Sequence, residues 1–430
     1  MKIGKILGLN ARTQLFAYKY NTRRGKNIAD SKIQTARILK DAKIAHPEIY
    51  RKFRDPKDVF NFDWNKLPDK FALKPSRGMG GEGIIVVRRR LKDGGWLTTQ
   101  KEKVTTDDLK LHTLDILEGA YSMGNVPDVA FVQEYVGRAK AFRRWAYRGT
   151  PDVRIIVFNK VPVMAMLRLP TKESGGRANL HQGAIGVGVD IATGITTKAI
   201  WHGEQIVFKP GSDRQLRGIK IPTWTAILET AVKAQMASGL GYVGVDIVLH
   251  PEKGPQVLEL NAQPGLQIQL ANMEGLKKRL ERVEDLDVAD AAHGVMISKA
   301  LFAGRFENRR AIELGIKTIE ASEEIRVRSF DGKKVSVKAR IDTGAWSSSI
   351  DRVFAKSLGL LGKGKILWYK RKISALGEKR WPVINVTFWI AGRRVNTTMG
   401  VSDRSKLTYK VLIGRTDLQG FLVRPWVEKK

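Results

Sequence analysis

Cysteine is absent from the 430 residues. Disulfides, thiolate metal sites and a cysteine nucleophile are therefore excluded, and a reducing cytoplasm is the compartment this composition fits. No apolar run reaches the roughly 18 residues that a membrane-spanning helix needs, so no span is expected. The opening MKIGKILGLNARTQ has a short apolar stretch but no small-residue cleavage site, and it reads as a first strand or arm rather than a signal peptide. Six histidines are scattered without zinc spacing such as H-E-x-x-H. Internal repeats and low-complexity tracts are also missing. Acidic residues are scarce beside basic ones, 43 against 76, for a net charge of +33. Such a field attracts polyanions: nucleic acid, an anionic membrane surface or an acidic peptide. From Glu320 onward 24 Lys and Arg face 10 Asp and Glu, so +19 of the charge lies upstream and there is no single basic tail.

What remains is ordinary globular material. Apolar residues make up 43%, and the length exceeds one core, so two or three domains are expected. Apolar spacing predicts a helix in IADSKIQTARILKDAKI, with Ile33, Ala36, Ile38 and Leu39 near one face. DKFALKPSRGMGGEGIIVVRRR reads as strand, glycine-rich loop, strand. VAFVQEYV is a further strand, and DVRIIVFNKVPVMAMLRLP is a hairpin turning near Asn159 and Lys160. TWTAILETAVKAQMASGL is an amphipathic helix, YVGVDIVLHPEKGPQVLELNAQPG a second hairpin, and VADAAHGVMISKALFAG a closing helix. RFENRRAIELGIKTIEASEE is polar and charged, the best linker candidate. Beyond it come short alternating strands with turns at FDGK, LGKGK and IAGRR.

Two constellations carry chemistry. In the first, Gly78, Gly80, Gly81 and Gly83 lie between two strands, where backbone amides can approach a polyphosphate, and Lys74 adds a point charge. A glycine-rich hairpin is often only a flexible turn, so the later hairpin matters. Alternation sends Glu259 and Asn261 to one side of their strand, and Asp246 on the preceding strand can face them. Two carboxylates and an amide oxygen suit Mg²⁺, which keeps substrate phosphates among its ligands. The bland reading is a wet hairpin face, but Glu259 stands in an apolar strand that ends in Pro-Gly, an odd place for an idle charge.

The segments ALKPSRGMGGEGI, VQEYV, DVRIIVF, AMLRLP, RANLHQGA and GVDIVL…VLELNAQPG occur in the order found in ATP-grasp ligases. Over residues 20 to 300 the chain most resembles the RimK-like branch, the glutamate ligases and their relatives. That resemblance implies an α+β ATP-grasp domain over residues 1–305. With about thirty residues before Lys32, the preceding α/β domain usual in such enzymes is expected to be shortened. It implies that Lys32 and Lys74 touch ATP phosphates under the Gly78 to Gly83 loop. Gln133, Glu134, Tyr135 and Val136 would hold adenine and ribose. Asp246, Glu259 and Asn261 would bind two Mg²⁺, with Mn²⁺ as a substitute. Arg154, Arg168 and Asn179 would serve the acyl phosphate, and Arg177 and His181 the substrates. The reaction implied is ligation of a carboxylate to an amine, adding an amino acid such as glutamate to an acidic peptide or protein in the cytoplasm. The runner-up is a ligase for small peptide-like metabolites. A basic nucleic-acid-binding protein with a vestigial nucleotide fold explains the charge, but no aromatic platform or recognised module supports it.

The second constellation is KARIDTGAWSSSI, a strand running into a turn with Asp342 at its tip, followed much later by YKVLIGRTDL. Beyond a linker at 306–319, residues 320–430 resemble a retropepsin-like aspartic protease domain, a small all-β barrel. The resemblance implies that Asp342 is catalytic, Thr343 braces the paired loops, Gly344 allows the tight backbone, and Gly414, after two aliphatics, belongs to the Ile-Ile-Gly-Arg-like stretch near the end of such domains. The chain holds one Asp-Thr-Gly and no Asp-Ser-Gly. The second aspartate is therefore expected from another copy, making a homodimer in which two Asp342 carboxyls share a proton. A barrel used only for dimerisation or docking is the alternative.

Overall fold

The computed structural model describes residues 6–78, 80–302, 315–362, 364–374 and 377–424. The chain forms two compact units: Met1–Val189 with Gly194–Asp285, and Asp190–Thr193 with Leu286–Lys430. Residues 306–314 of the expected linker, and Lys363 of the LGKGK turn, lie outside the described residues. No helix among the described residues is long and apolar enough to cross a membrane.

The first unit holds two antiparallel sheets. One contains β1 (Ile49–Phe53), β2 (Phe71–Pro75), β3 (Ile85–Arg90), β4 (Trp96–Thr98), β5 (Lys103–Val104) and β6 (Ala130–Glu134), in the order β1-β6-β2-β3-β4-β5. Phe53, Trp64, Phe71, Trp96 and Leu109 fill its core, with Phe53 stacked on Trp64 at 5.1 Å. The other contains β7 (Asp152–Phe158), β8 (Val161–Leu169), β9 (Ile185–Val189), β10 (Thr196–Trp201), β11 (Glu204–Ile206), β12 (Tyr242–His250) and β13 (Gly254–Asn261). Its order is β11-β10-β9-β8-β7-β12-β13. All nine residues of β8 are buried, so both faces of this sheet are covered at its centre. Helices Trp224–Ser238 and Gln267–Asn272 pack against β8. Asn159 and Lys160, both at positive φ, turn β7 into β8 as their spacing suggests.

One expectation is overturned. From residue 9 on, the segment expected to be a strand or arm is helical: Leu9–Arg12, Thr13–Ala17 and Tyr18–Tyr20 are consecutive helical turns, the middle one a π-turn, while residues 1–5 lie outside the described residues. The cause is helical spacing of buried positions. Phe16 and Ala17 lie one turn beyond Arg12, and the Phe16 ring meets Phe158 at 5.4 Å and Tyr242 at 6.0 Å.

Among the described residues of the second unit, helices Ala291–Phe302 and Arg352–Ser357 accompany nine strands: β14 (Lys317–Glu320), β15 (Ser322–Arg328), β16 (Lys334–Asp342), β17 (Ser349–Asp351), β18 (Ile366–Ser374), β19 (Gly377–Ile390), β20 (Arg393–Ser402), β21 (Val411–Gly414) and β22 (Phe421–Arg424). β14 and β22 pair in parallel. The rest run β15-β16-β21-β17-β20-β19-β18, and β15 also pairs with β19. The first six of these strands thus close into a barrel, with β18 appended. Ile325, Val327, Ile341, Ile350, Phe388, Val401 and Ile413 fill it, alternating with outward residues along each strand.

Candidate active site

A cleft of about 1070 Å³ opens in the first unit between the glycine-rich loop, the end of β6 and the edge of the second sheet. Its floor follows from register. Arg154 on β7, Asp246 on β12 and Glu259 on β13 stand opposite one another across three adjacent strands. A bulge follows Asp246, and on its other side Asn261 pairs with Gly244, two residues on and so on the same face. Asp152 and Arg168 stand opposite each other on β7 and β8.

These side chains form one charge network. Asp246 is 0% exposed, and its two oxygens take Arg154 Nε and Nη2 at 2.7 and 2.6 Å. Arg168 Nη2 donates to Asp246 Oδ2 at 2.6 Å and to Asp152 Oδ2 at 2.7 Å, and its Nε reaches Asp152 Oδ1. Glu259 lies 3.7 Å from Arg154 Nη2, and Asn261 Nδ2 lies 3.5 Å from Asp246 Oδ2. Burial works against ionising Asp246, but the two guanidinium groups outweigh it and hold the carboxyl well below the usual carboxylate range. Asp152 goes the other way. Burial pushes it up, and the Asp246 charge adds to that push against the pull of Arg168.

Across the cleft, Lys74 on β2 donates to Gln133 Oε1 at 2.9 Å, and Lys32 at the start of helix Lys32–Asp41 donates to Gly78 O at 2.7 Å. Burial, helped by the Lys32 ammonium, lowers Lys74 to about 8. Gly80 and Gly81 both have positive φ, 65° and 83°, which lets the loop turn tightly beside the cleft. Asn179 Nδ2 donates to Gly80 O at 2.8 Å, so the loop carrying Arg177, Asn179 and His181 clasps the glycine-rich loop. Glu134 also faces a strong partner. Burial disfavours its charge, but the Lys253 ammonium, bonded to Oε1, holds its carboxyl down.

Of the expected site residues, Lys32, Lys74, Gly78, Gly80, Gly81, Glu134, Tyr135, Val136, Arg154, Arg168, Arg177, Asn179, His181, Glu259 and Asn261 line the cleft. Three do not. Gln133 sits behind Lys74 and fixes it, Asp246 lies under the arginines, and Gly83 packs against Tyr121. Asp152, which also lines the cleft, was missed. The signal was available: an aspartate two residues before Arg154, hence on the same face of β7. Among the described residues no group of three or more His, Cys, Asp and Glu is placed to hold a metal ion. The oxygen donors of Glu259 and Asn261 at the cleft fit Mg²⁺ bound largely through phosphates, while Asp246 accepts three hydrogen bonds from guanidinium groups.

In the second unit Asp342 ends β16 opposite Gly414 of β21. Its Oδ1 accepts from Gly344 N at 2.8 Å and Ala345 N at 3.0 Å, which fixes the turn. Thr343, Gly344, Trp346 and Ser347 are exposed, Trp346 by 70%. Ser348 is structural: its Oγ bonds Asp417 and accepts from Gly414 N at 3.0 Å.

The family of sugar-transfer associated ATP-grasp proteins matches residues 11–285, and the chain belongs to it. No curated protein matches the sequence. Among solved structures, the chain is similar to the ATP-grasp ligase PsnB complexed with a minimal precursor, at 17% identity and TM-score 0.32 over 61% of this chain. It spans 64% of the length of that ligase. It is also similar to an L-amino acid ligase from Bacillus licheniformis, at 11% identity and TM-score 0.33, over 58% of this chain and 43% of the other. The Simian Foamy Virus (mac) protease is 22% identical with TM-score 0.18, covering 23% of this chain and 90% of its own.

Proposed function

We propose that the first unit is a RimK-like, ATP- and Mg²⁺-dependent carboxylate–amine ligase that adds an amino acid, glutamate by preference, to a peptide or protein. One observation carries the reading. A single cleft gathers two lysines beneath a glycine-rich loop and, opposite them, Arg154, Arg168, Glu259 and Asn261. In the reaction, a substrate carboxylate oxygen bonds to the γ-phosphorus as the bond to the β-phosphate oxygen breaks, releasing ADP. The attacking amine then bonds to the acyl carbon, loses a proton and expels phosphate. Little proton chemistry is demanded of the protein; the work is positioning and charge stabilisation. Lys32 and Lys74 hold the polyphosphate. Arg154, pinned by Asp246, presents a fixed guanidinium to the developing phosphoryl charge, and Arg168 is held in the same way by Asp152 and Asp246. Mg²⁺ would supply further neutralisation of the phosphates, with Glu259 and Asn261 as its protein ligands. The clasp from Asn179 to Gly80 keeps the glycine-rich loop down and water out.

The second unit we read as half of a retropepsin-like site completed by another copy, with Asp342 at the end of β16, just before the Thr343–Ser347 turn. Its support is the closed barrel and the position of Asp342 at the end of β16.

The ligase reading is tested by ADP release from Mg²⁺-ATP across amino acids and short acidic peptides, products weighed by mass spectrometry, with Glu259→Gln alongside. Amino-acid-dependent ADP release, a product one residue heavier, and loss of both in the variant are expected. Turnover unaffected by Glu259→Gln would contradict it.

A further inference from the structure

Between the cleft-lining residues Val136 and Arg148 the chain makes an excursion, Gly137 to Tyr147, that leaves the cleft and returns to it. Thr150 Oγ1 donates to Val136 O at 2.7 Å and closes the base of the loop. The excursion packs on a second loop, residues 206–217. Arg214 Nη1 donates to Arg144 O at 2.7 Å, Lys209 Nζ reaches the same carbonyl at 3.5 Å, and Trp145 Nε1 donates to Gln215 O at 3.2 Å. Across residues 137–149 and 206–217 there are eight Lys and Arg and one carboxylate, Asp213.

Six of these cations have no carboxylate partner among the described residues. Among the described residues none of Arg138, Lys140, Arg143, Arg144, Lys209 and Arg214 is ion-paired with a carboxylate; those with bonds donate to backbone carbonyls. Lys140, Arg143, Arg144 and Arg214 are exposed, and Lys209 and Arg138 are half-buried among them. The crowding is felt: burial first, then the charges of Arg214 and Arg138, lower the Lys209 ammonium. Val207 and Phe208, 56% and 48% exposed, add apolar surface on the second loop. A surface that holds so many like charges together with a single carboxylate among them is built for an external anion. Its junction with the cleft at Arg148 selects the kind of anion: one chain must lie on the basic surface and also deliver a carboxylate to the ligation site.

We propose that the 137–147 excursion and the 206–217 loop form the docking surface for the acidic acceptor peptide, several acidic side chains lying on this surface while one carboxylate enters the cleft. The proposal rests on the ligase reading for its choice of a peptide. Its test needs no turnover. Fluorescence anisotropy would follow a labelled peptide of ten glutamates and, separately, a single-stranded oligothymidine of equal charge. The parent protein would be compared with Lys140→Gln/Arg143→Gln/Arg144→Gln and with the single charge reversal Arg143→Glu. The expected result is salt-sensitive peptide binding, weakened about tenfold in the triple variant and detectably in the single one. Binding of an ATP analogue should be unchanged in both. Equal peptide binding by parent and variants, or none by the parent, overturns the proposal. So does tighter binding of the oligothymidine that is lost in the same variants, which assigns the surface to nucleic acid. A failed ligase reading would register elsewhere, as absent ADP release, and leave these binding results to be read alone.

Discussion

Lys74 shows what a nucleotide site costs at the level of one residue. Its folded-state value of about 8 lies below the ordinary 10.5, so between those values the unfolded chain holds the proton more tightly. Stability therefore rises with pH from about 8 to 10.5, and at neutral pH the charged Lys74 is a liability on the order of 3 kcal/mol. Lys74→Met is expected to raise the melting temperature at pH 7 while weakening ATP binding, measured by calorimetry. In the parent, binding at pH 9 should take up a proton, seen as a dependence on buffer ionisation heat that Lys74→Met lacks. The carboxylates divide differently. Asp246 is buried under two guanidinium groups, so Asp246→Asn leaves them uncompensated and should cost about 3–5 kcal/mol in urea unfolding. Glu259 is 31% exposed on its side chain. Glu259→Gln should change stability by less than about 1 kcal/mol and lower ADP release by about 100-fold or more.

At the scale of elements, strands did the positioning. Register across β7, β12 and β13 places Arg154, Asp246 and Glu259 in one row, and alternation puts Asp152 on the same face as Arg154. Much of this was legible beforehand, because hairpin turns and period-two patterns are local signals: both hairpins and the helix beginning at Lys32 fall where their spacing puts them. What was not legible depends on partners distant in sequence. Nothing near Asp246 announces that Arg154 and Arg168 will enclose it, nor near Gln133 that it will hold Lys74. The N-terminal helix escaped for a similar reason, since Phe16 shows its role only against Phe158 and Tyr242. The glycine-rich loop offers a test at this scale. Gly80→Val and Gly81→Val force a β-branched residue to positive φ at a cost of about 1–3 kcal/mol, confined to the loop. KM for ATP should rise while the global unfolding midpoint stays within about 1 kcal/mol of the parent.

The whole molecule carries an ATP-grasp unit and a closed barrel on one chain of net charge +33. If the barrel is half of an aspartic protease site, the chain is a dimer in sedimentation at micromolar concentration. Asp342→Asn then abolishes any peptide cleavage and leaves ADP release untouched; a monomer at working concentrations would remove that half of the account. The charge makes a separate demand: KM for an acidic peptide should rise steeply with salt while KM for the free amino acid barely moves. The most direct test of the central claim remains ADP release from Mg²⁺-ATP with amino acids and acidic peptides as paired substrates. The account expects release that requires both partners, yields a peptide one residue heavier and disappears in Glu259→Gln. ATP turnover that ignores every amine offered, or that survives Glu259→Gln, would contradict it.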